Sequence, residues 1–250
     1  MFGFDPLFLL VGCVAVIILG LSKGGFVGVG ALATPLLALV IGPVEAAAIV
    51  LPILVVQDMV SVWAFRHSWD RGIIALMVPG AAIGILIAWW FAAELPESAM
   101  RLMLGLISVT FAARSLWIQR GGRVPAPADP PRGFGFVMGV ASGVTSQIAH
   151  AGQPPFQIYV LPKRLPRDTL VGTTAIYFAS LNWIKLPAYL ALGQFTPAHL
   201  TASLVLLPLA VAATFAGVWL VRRVDPARFY TAIYVLMLLI GLKLTYDGLA

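Results

Sequence analysis

Hydrophobic positions in this chain fall into ten runs separated by short polar breaks. In the first half the runs are 7–21, 26–41, 44–65, 72–93 and 98–118; in the second they are 133–146, 152–161, 168–190, 198–221 and 226–249. Between the halves lies 119–132 (QRGGRVPAPADPPR), a polar, proline-rich stretch with the composition of an extended linker. A helix needs about 20 residues to cross a bilayer. The last three runs of each half reach that length and the first two do not. The pattern predicts an all-α polytopic membrane protein with a first repeat (1–118), a linker (119–132) and a second repeat (133–250). Each repeat is a short broken-helix or re-entrant hairpin followed by three transmembrane helices.

Composition agrees with the pattern. The 250 residues are 60% hydrophobic and 10% charged, against roughly 25% charged in a soluble domain. Sixteen Lys and Arg with ten Asp and Glu cannot clothe a soluble fold of this size. An ordinary globular enzyme, a disordered chain and a disulfide scaffold are excluded. The net charge of +6 does not indicate nucleic acid, because the basic residues sit between apolar runs and form no patch. Cys13 is the single cysteine, and His67, His150 and His199 are far apart. No metal site and no cofactor are expected. No basic segment precedes the first run, so a cleavable signal peptide is not expected.

The two halves resemble each other weakly. Setting Gly20 against Gly139 also aligns Gly24 with Gly143 and Pro35 with Pro154. With small gaps, Glu45 meets Asp168, Pro79 meets Pro208, and Leu95-Pro96 meets Asp225-Pro226. Loop cations give an orientation. Arg66 and Arg71, the linker's Arg120, Arg123 and Arg132, then Lys163, Arg164 and Arg167, and finally Arg222, Arg223 and Arg228 mark four cytoplasmic loops. The 94–97 loop, with Glu94 and Glu97 and no cation, and the uncharged 191–197 loop face out. Segments 133–161 then leave and return on the inside, 7–41 on the outside, and both termini lie outside. The repeats are inverted, as in many secondary transporters. Parity alone does not separate a re-entrant hairpin from a full out-and-back pair. The polar tip and short second run of 133–161 favour the re-entrant form.

The two hairpin tips hold the candidate chemistry. The first reads GLSKGGFVGVGALATP over 20–35. Non-helical backbone at membrane depth survives only where protein or water covers it. A Gly-rich bend that opens a helix presents free N–H groups and suits an anion. A lysine there, Lys23, costs roughly 2.5–3.5 kcal/mol to insert unless it snorkels to the interface. The second tip, SGVTSQIAHAGQPP over 142–155, gathers hydroxyl, amide and imidazole groups, which bind a ligand or cap broken helix ends. Gln57, Asp58, Asn182 and Lys185 are the other polar intramembrane residues. Asp58 either carries a coupling proton or pairs with Arg66. Arg114 and Lys243 near helix ends read as snorkelling side chains, and the tryptophans as interface anchors.

At these residues the chain resembles the TauE/SafE family of sulfite and organosulfonate transporters. The stretch 20–35 resembles its N-terminal motif. Gly152-Gln153-Pro154-Pro155-Phe156-Gln157-Ile158-Tyr159 resembles a Gly-Gly-Pro-Pro pattern followed by apolar residues and Tyr. The run 181–189 (LNWIKLPAY) resembles an Asn…Arg/Lys-Leu-Pro-x-Tyr pattern. The likeness runs in order along essentially the whole chain. Gln153 in place of the second Gly, and the neighbouring His150, are departures.

The resemblance implies a carrier of sulfite, organosulfonates or similar small anions in the bacterial cytoplasmic membrane. The expected substrate-binding set is Ser22, Lys23, Gly24, Gly25, Gly28, Ser146, Gln147, His150, Gln153 and Asn182, with Asp58 and His150 as coupling candidates. No G-x-x-x-x-G-K-[ST] motif is present. The rivals are an anion channel, a scaffold subunit without flux, and an intramembrane hydrolase. The last has Ser142 or Ser146 and His150 in its favour, but Val140 stands where a nucleophile elbow at Ser142 needs Gly. Lys23→Ala is expected to weaken anion handling and leave folding intact.

Overall fold

A computed structural model of the chain describes residues 5–26, 28–92, 94–121, 128–220 and 227–250. Of the features used above, Arg123, Arg222, Arg223, Asp225 and Pro226 lie outside the described residues, as does the side chain of Arg228. The helices are α1 (Pro6–Lys23), α2 (Ala33–Ile41), α3 (Pro43–Phe65), α4 (Arg71–Ala92), α5 (Glu97–Gln119), α6 (Arg132–Ala149), α7 (Gln153–Val160), α8 (Arg167–Ala191), α9 (Pro197–Leu220) and α10 (Ala227–Leu249). A 3₁₀ turn, Val29–Leu32, leads into α2, and another, Leu161–Lys163, follows α7.

Proline sets several helix starts, because its fixed φ suits a first turn and its missing N–H has no intrahelical partner there. Pro6, Pro43 and Pro154 all occupy such positions. The Asp5 side chain caps α1 by accepting from Leu7 N at 3.2 Å.

The break in the second half is shorter than its tip suggested. α6 does not stop at 146. It continues to Ala149, so α1 and α6 are both 18 residues, about 27 Å. Ser146 and Gln147, which mimicked a break in the sequence, lie on the last turn of α6. His150 ends that helix in the left-handed region at φ 52°. The returning limbs, 29–41 and 153–163, span about 22 and 18 Å, short of a 30 Å hydrocarbon core. Among the described residues, six helical stretches are long and apolar enough to cross a membrane. α1 is one of them; α8, with 25 residues, is not. The glycine register also shifts. Gly20 lies three residues before the end of α1 and Gly139 ten before the end of α6, so these glycines do not occupy equivalent helix positions.

Helices approach through backbone contacts at glycine. A Cβ on Gly20 would sit 2.5 Å from Ala213 Cβ, and one on Gly24 2.4 Å from the Gly217 carbonyl carbon, both on α9. A Cβ on Gly139 would meet Met77 O at 2.6 Å, and one on Gly143 Ala81 O at 2.1 Å, both on α4. The first helix of each half thus lies along the middle long helix of the other. The remaining pairs repeat the exchange: α3 faces α8, α5 faces α10, α3 touches α9 and α4 touches α8. Large apolar side chains such as Trp63, Trp90, Leu204 and Leu239 face outward, where lipid covers them.

The loops sort by charge. The 66–71 loop lies against the start of α8, with Asp70 N donating to Thr173 Oγ1 at 2.9 Å. Asp129 of the linker pairs with Lys163. These cation-bearing loops share one end of the bundle. Glu97 approaches Gly42 at the other end, where Gly248 of α10 also packs on Leu102.

Candidate functional site

The two breaks face each other across a central cavity of about 40 Å³. The first hairpin lends it Ser22, Lys23 and Gly30; the second lends Ser146, His150 and Gln153; Leu54 of α3 and Phe178, Asn182 and Lys185 of α8 complete the wall. Six of the ten expected binding residues therefore line one space: Ser22, Lys23, Ser146, His150, Gln153 and Asn182. Four do not. Gly24 is pressed on α9. Gly25 shapes the turn with φ 132°. Gly28 faces Gln157, Phe111 and Tyr234. Gln147 is buried on α6, and its Oε1 has no hydrogen-bond partner among the described residues.

Charge in the site is organised around α3 and α8. Asp58 and Asn182 each lie fifteen residues beyond the first residue of their helices, Pro43 and Arg167. Asp58 pairs through Oδ1 with Lys23, and its Oδ2 accepts from Asn182 Nδ2 at 2.6 Å. The alternative pairing with Arg66 is overturned, since the Arg66 guanidinium bonds Trp63 O on its own helix. Lys23 does not snorkel outward; its side chain is 13% exposed and that of Asp58 1%. The Lys23 ammonium also lies 5.9 Å from the Phe178 ring centre.

One turn further, Ser61 and Lys185 again correspond, eighteen residues into their helices. Ser61 Oγ donates to Lys23 O at 2.9 Å, and Lys185 Nζ to Ser146 O at 3.3 Å. Lys23 O is a carbonyl that the broken helix leaves orphaned at its C-terminus, whereas Ser146 O also accepts from His150 N at 3.0 Å. Lys185 is fully buried and also bonds His150 Nδ1 at 2.6 Å. His150 Nε2 lies 2.9 Å from Ala47 O. A carbonyl only accepts, so Nε2 carries the proton and Nδ1 accepts from the ammonium. The ring stacks on Tyr189 at 5.9 Å, and Tyr189 OH donates to Gln147 O at 3.0 Å.

Lys185 is the residue absent from the expected set that the geometry adds. Its signal was present, because Asn182 and Lys185 are spaced i, i+3 and share one helix face. The hydrolase reading loses its pair. Ser142 Oγ donates to Gly152 O at 2.7 Å, and both His150 nitrogens are committed to other partners. Among the described residues no cluster of His, Cys, Asp and Glu has metal-binding form.

A family model described as Sulfite exporter TauE/SafE matches residues 8–244. No curated relative and no solved structure matches the chain.

Proposed function

The chain belongs to the TauE/SafE sulfite exporter family, whose members are membrane transporters and not enzymes, and from that premise we propose that it moves a small oxyanion, sulfite above all, through the central cavity by alternating access. The cavity's charge carries this reading. Two lysine side chains, Lys23 and Lys185, face it, and the one buried carboxylate, Asp58, is paired with Lys23, which leaves any charge on Lys185 without an acidic partner. An unmatched buried charge is costly, and a bound anion supplies the missing partner. Ser22, Ser146, Gln153 and Asn182 offer the directed hydrogen bonds that replace its hydration.

Size favours the smaller substrates. About 40 Å³ exceeds the roughly 10–15 Å³ that one water needs, and it suits an ion of a few heavy atoms better than an extended organosulfonate. Asp58 is the coupling residue of the proposal. It holds Lys23 while the site is empty, and a proton on Asp58 frees that ammonium for the anion. His150, bonded on both nitrogens, positions Lys185. The exchange of packing partners between halves supports inverted repeats that rock against each other. The loop charges support an inner-membrane orientation with both termini outside.

Purified protein in liposomes tests the reading. Labelled sulfite should exchange one for one with internal sulfite, saturate, and fall at least about tenfold in Lys185→Ala. Non-saturating flux would make the protein a channel, and no flux a scaffold.

A further inference from the structure

Two further cavities lie beside α7, both between α5 and the second hairpin. One of about 270 Å³ is lined mainly by apolar side chains, including Leu106, Phe111 and Ile158. The other, about 290 Å³, is lined by Ser115, Gln119, Gln157 and Tyr234 among others. Arg114 lines both and is the one cation in either wall; no carboxylate lines either wall among the described residues. Ser115, Gln157 and Tyr234 are themselves buried. Arg114 lies five residues before the end of α5, about 7–8 Å inside it, at the end of the bundle that carries the cationic loops.

The larger cavity and the central one share a partition. Gln157 lines the first and Gln153 the second, and Gln157 Nε2 donates to Gln153 Oε1 at 3.2 Å along one turn of α7. Gly28 of the first hairpin closes against the same amide, with 2.9 Å between its Cβ position and Gln157 Nε2.

We propose that the space between α5, α7 and α10 is a cytoplasmic vestibule in which Arg114 forms a second oxyanion subsite, separated from the central cavity by the Gln153–Gln157 pair. This rests on the anion-transport reading above. An anion drawn in by the guanidinium waits among Ser115, Gln119 and Tyr234, and it passes inward when the amide pair parts. A lone cation in a low-dielectric cleft raises the local anion concentration, whereas a snorkelling arginine would leave the cavity's field unchanged.

The test reads that field without requiring transport. In a Cys13→Ser background, Ser115→Cys is modified in inside-out vesicles by anionic sulfonatoethyl and cationic trimethylammonioethyl methanethiosulfonate. The anionic reagent should react about tenfold faster with Arg114 than with Arg114→Gln, the cationic one no faster, and millimolar sulfate should protect only when Arg114 is present. In liposomes, Arg114→Gln should raise KM for sulfite at the cytoplasmic face with little change in kcat, and Arg114→Lys should restore it. Charge-independent modification, or absence of sulfate protection, overturns the subsite. Selectivity and protection in a protein that moves no sulfite would uphold the subsite and overturn the transport reading instead.

Discussion

The two broken hairpins start alike and end differently. α1 and α6 have equal length, lie on a helix of the opposite half through glycine, and end at the same cavity. The first break is then built from glycine, and its returning limb packs on α1 and, in addition, on α3 and α10. The second break is built from polar side chains, α7 rests mainly on α6, and cavities remain beside it. Their charges differ in the same sense. Lys23 belongs to the first hairpin and is neutralised by Asp58. The cation facing the second hairpin comes from α8, and its side-chain partner is a neutral imidazole. The first hairpin is a closed, charge-balanced wall; the second leaves positive charge unanswered. In the proposed mechanism an anion completes the second half of the site and competes for the first.

The largest effect should come from breaking the balanced side. Lys23→Ala strands a buried carboxylate, which costs about 3–5 kcal/mol, so the expectation of intact folding is withdrawn. Chemical unfolding in detergent should show the loss, and Lys23→Ala with Asp58→Asn should recover most of it. A single variant as stable as the parent would mean that the pair is not formed. On the unbalanced side, Lys185→Ala removes a charge-assisted contact worth about 1.5–3 kcal/mol, or roughly 10- to 150-fold in sulfite affinity. Stabilisation of the protein by sulfite reads this directly.

Packing is expected to matter equally on both sides. Gly24→Ala and Gly143→Ala each push a methyl into backbone at 2.4 and 2.1 Å and should each cost about 1–3 kcal/mol. Gly133→Ala, with open space around it, should be nearly neutral. A large difference between the first two would show that the halves are not packed alike. Among the residues facing the anion the smallest effect is expected at Gln153→Ala, where one neutral contact is worth about 0.5–1.5 kcal/mol. Sulfite titration should then show a loss of roughly tenfold at most.

Much of the architecture was legible because bilayer length is a strong signal. Three helices of at least 22 residues per half and a short returning limb in each follow from apolar run lengths, whereas the spanning length of α1, whose run read as too short, did not. The course of α6 did not, because Ser146 and Gln147 read as a break and in fact sit on its last turn, where Ser146 lines the cavity and Gln147 is buried away from it. Polar groups inside a membrane helix imitate loop composition whenever they line a site. The lysine in the first tip was legible by its cost. Its partner was not legible, because Asp58 is close to Arg66 in sequence while Lys23 is brought to it by tertiary packing. Lys185 was visible as a buried cation, but its place opposite His150 depends on α8 crossing the end of α6.

Anomalous diffraction from crystals soaked in selenite, an electron-dense analogue of sulfite, tests the central claim most directly. The account predicts its strongest peak in the central cavity, within hydrogen-bonding distance of Lys185 Nζ and beside Lys23. An empty cavity, or a strongest peak away from both lysines, would contradict it.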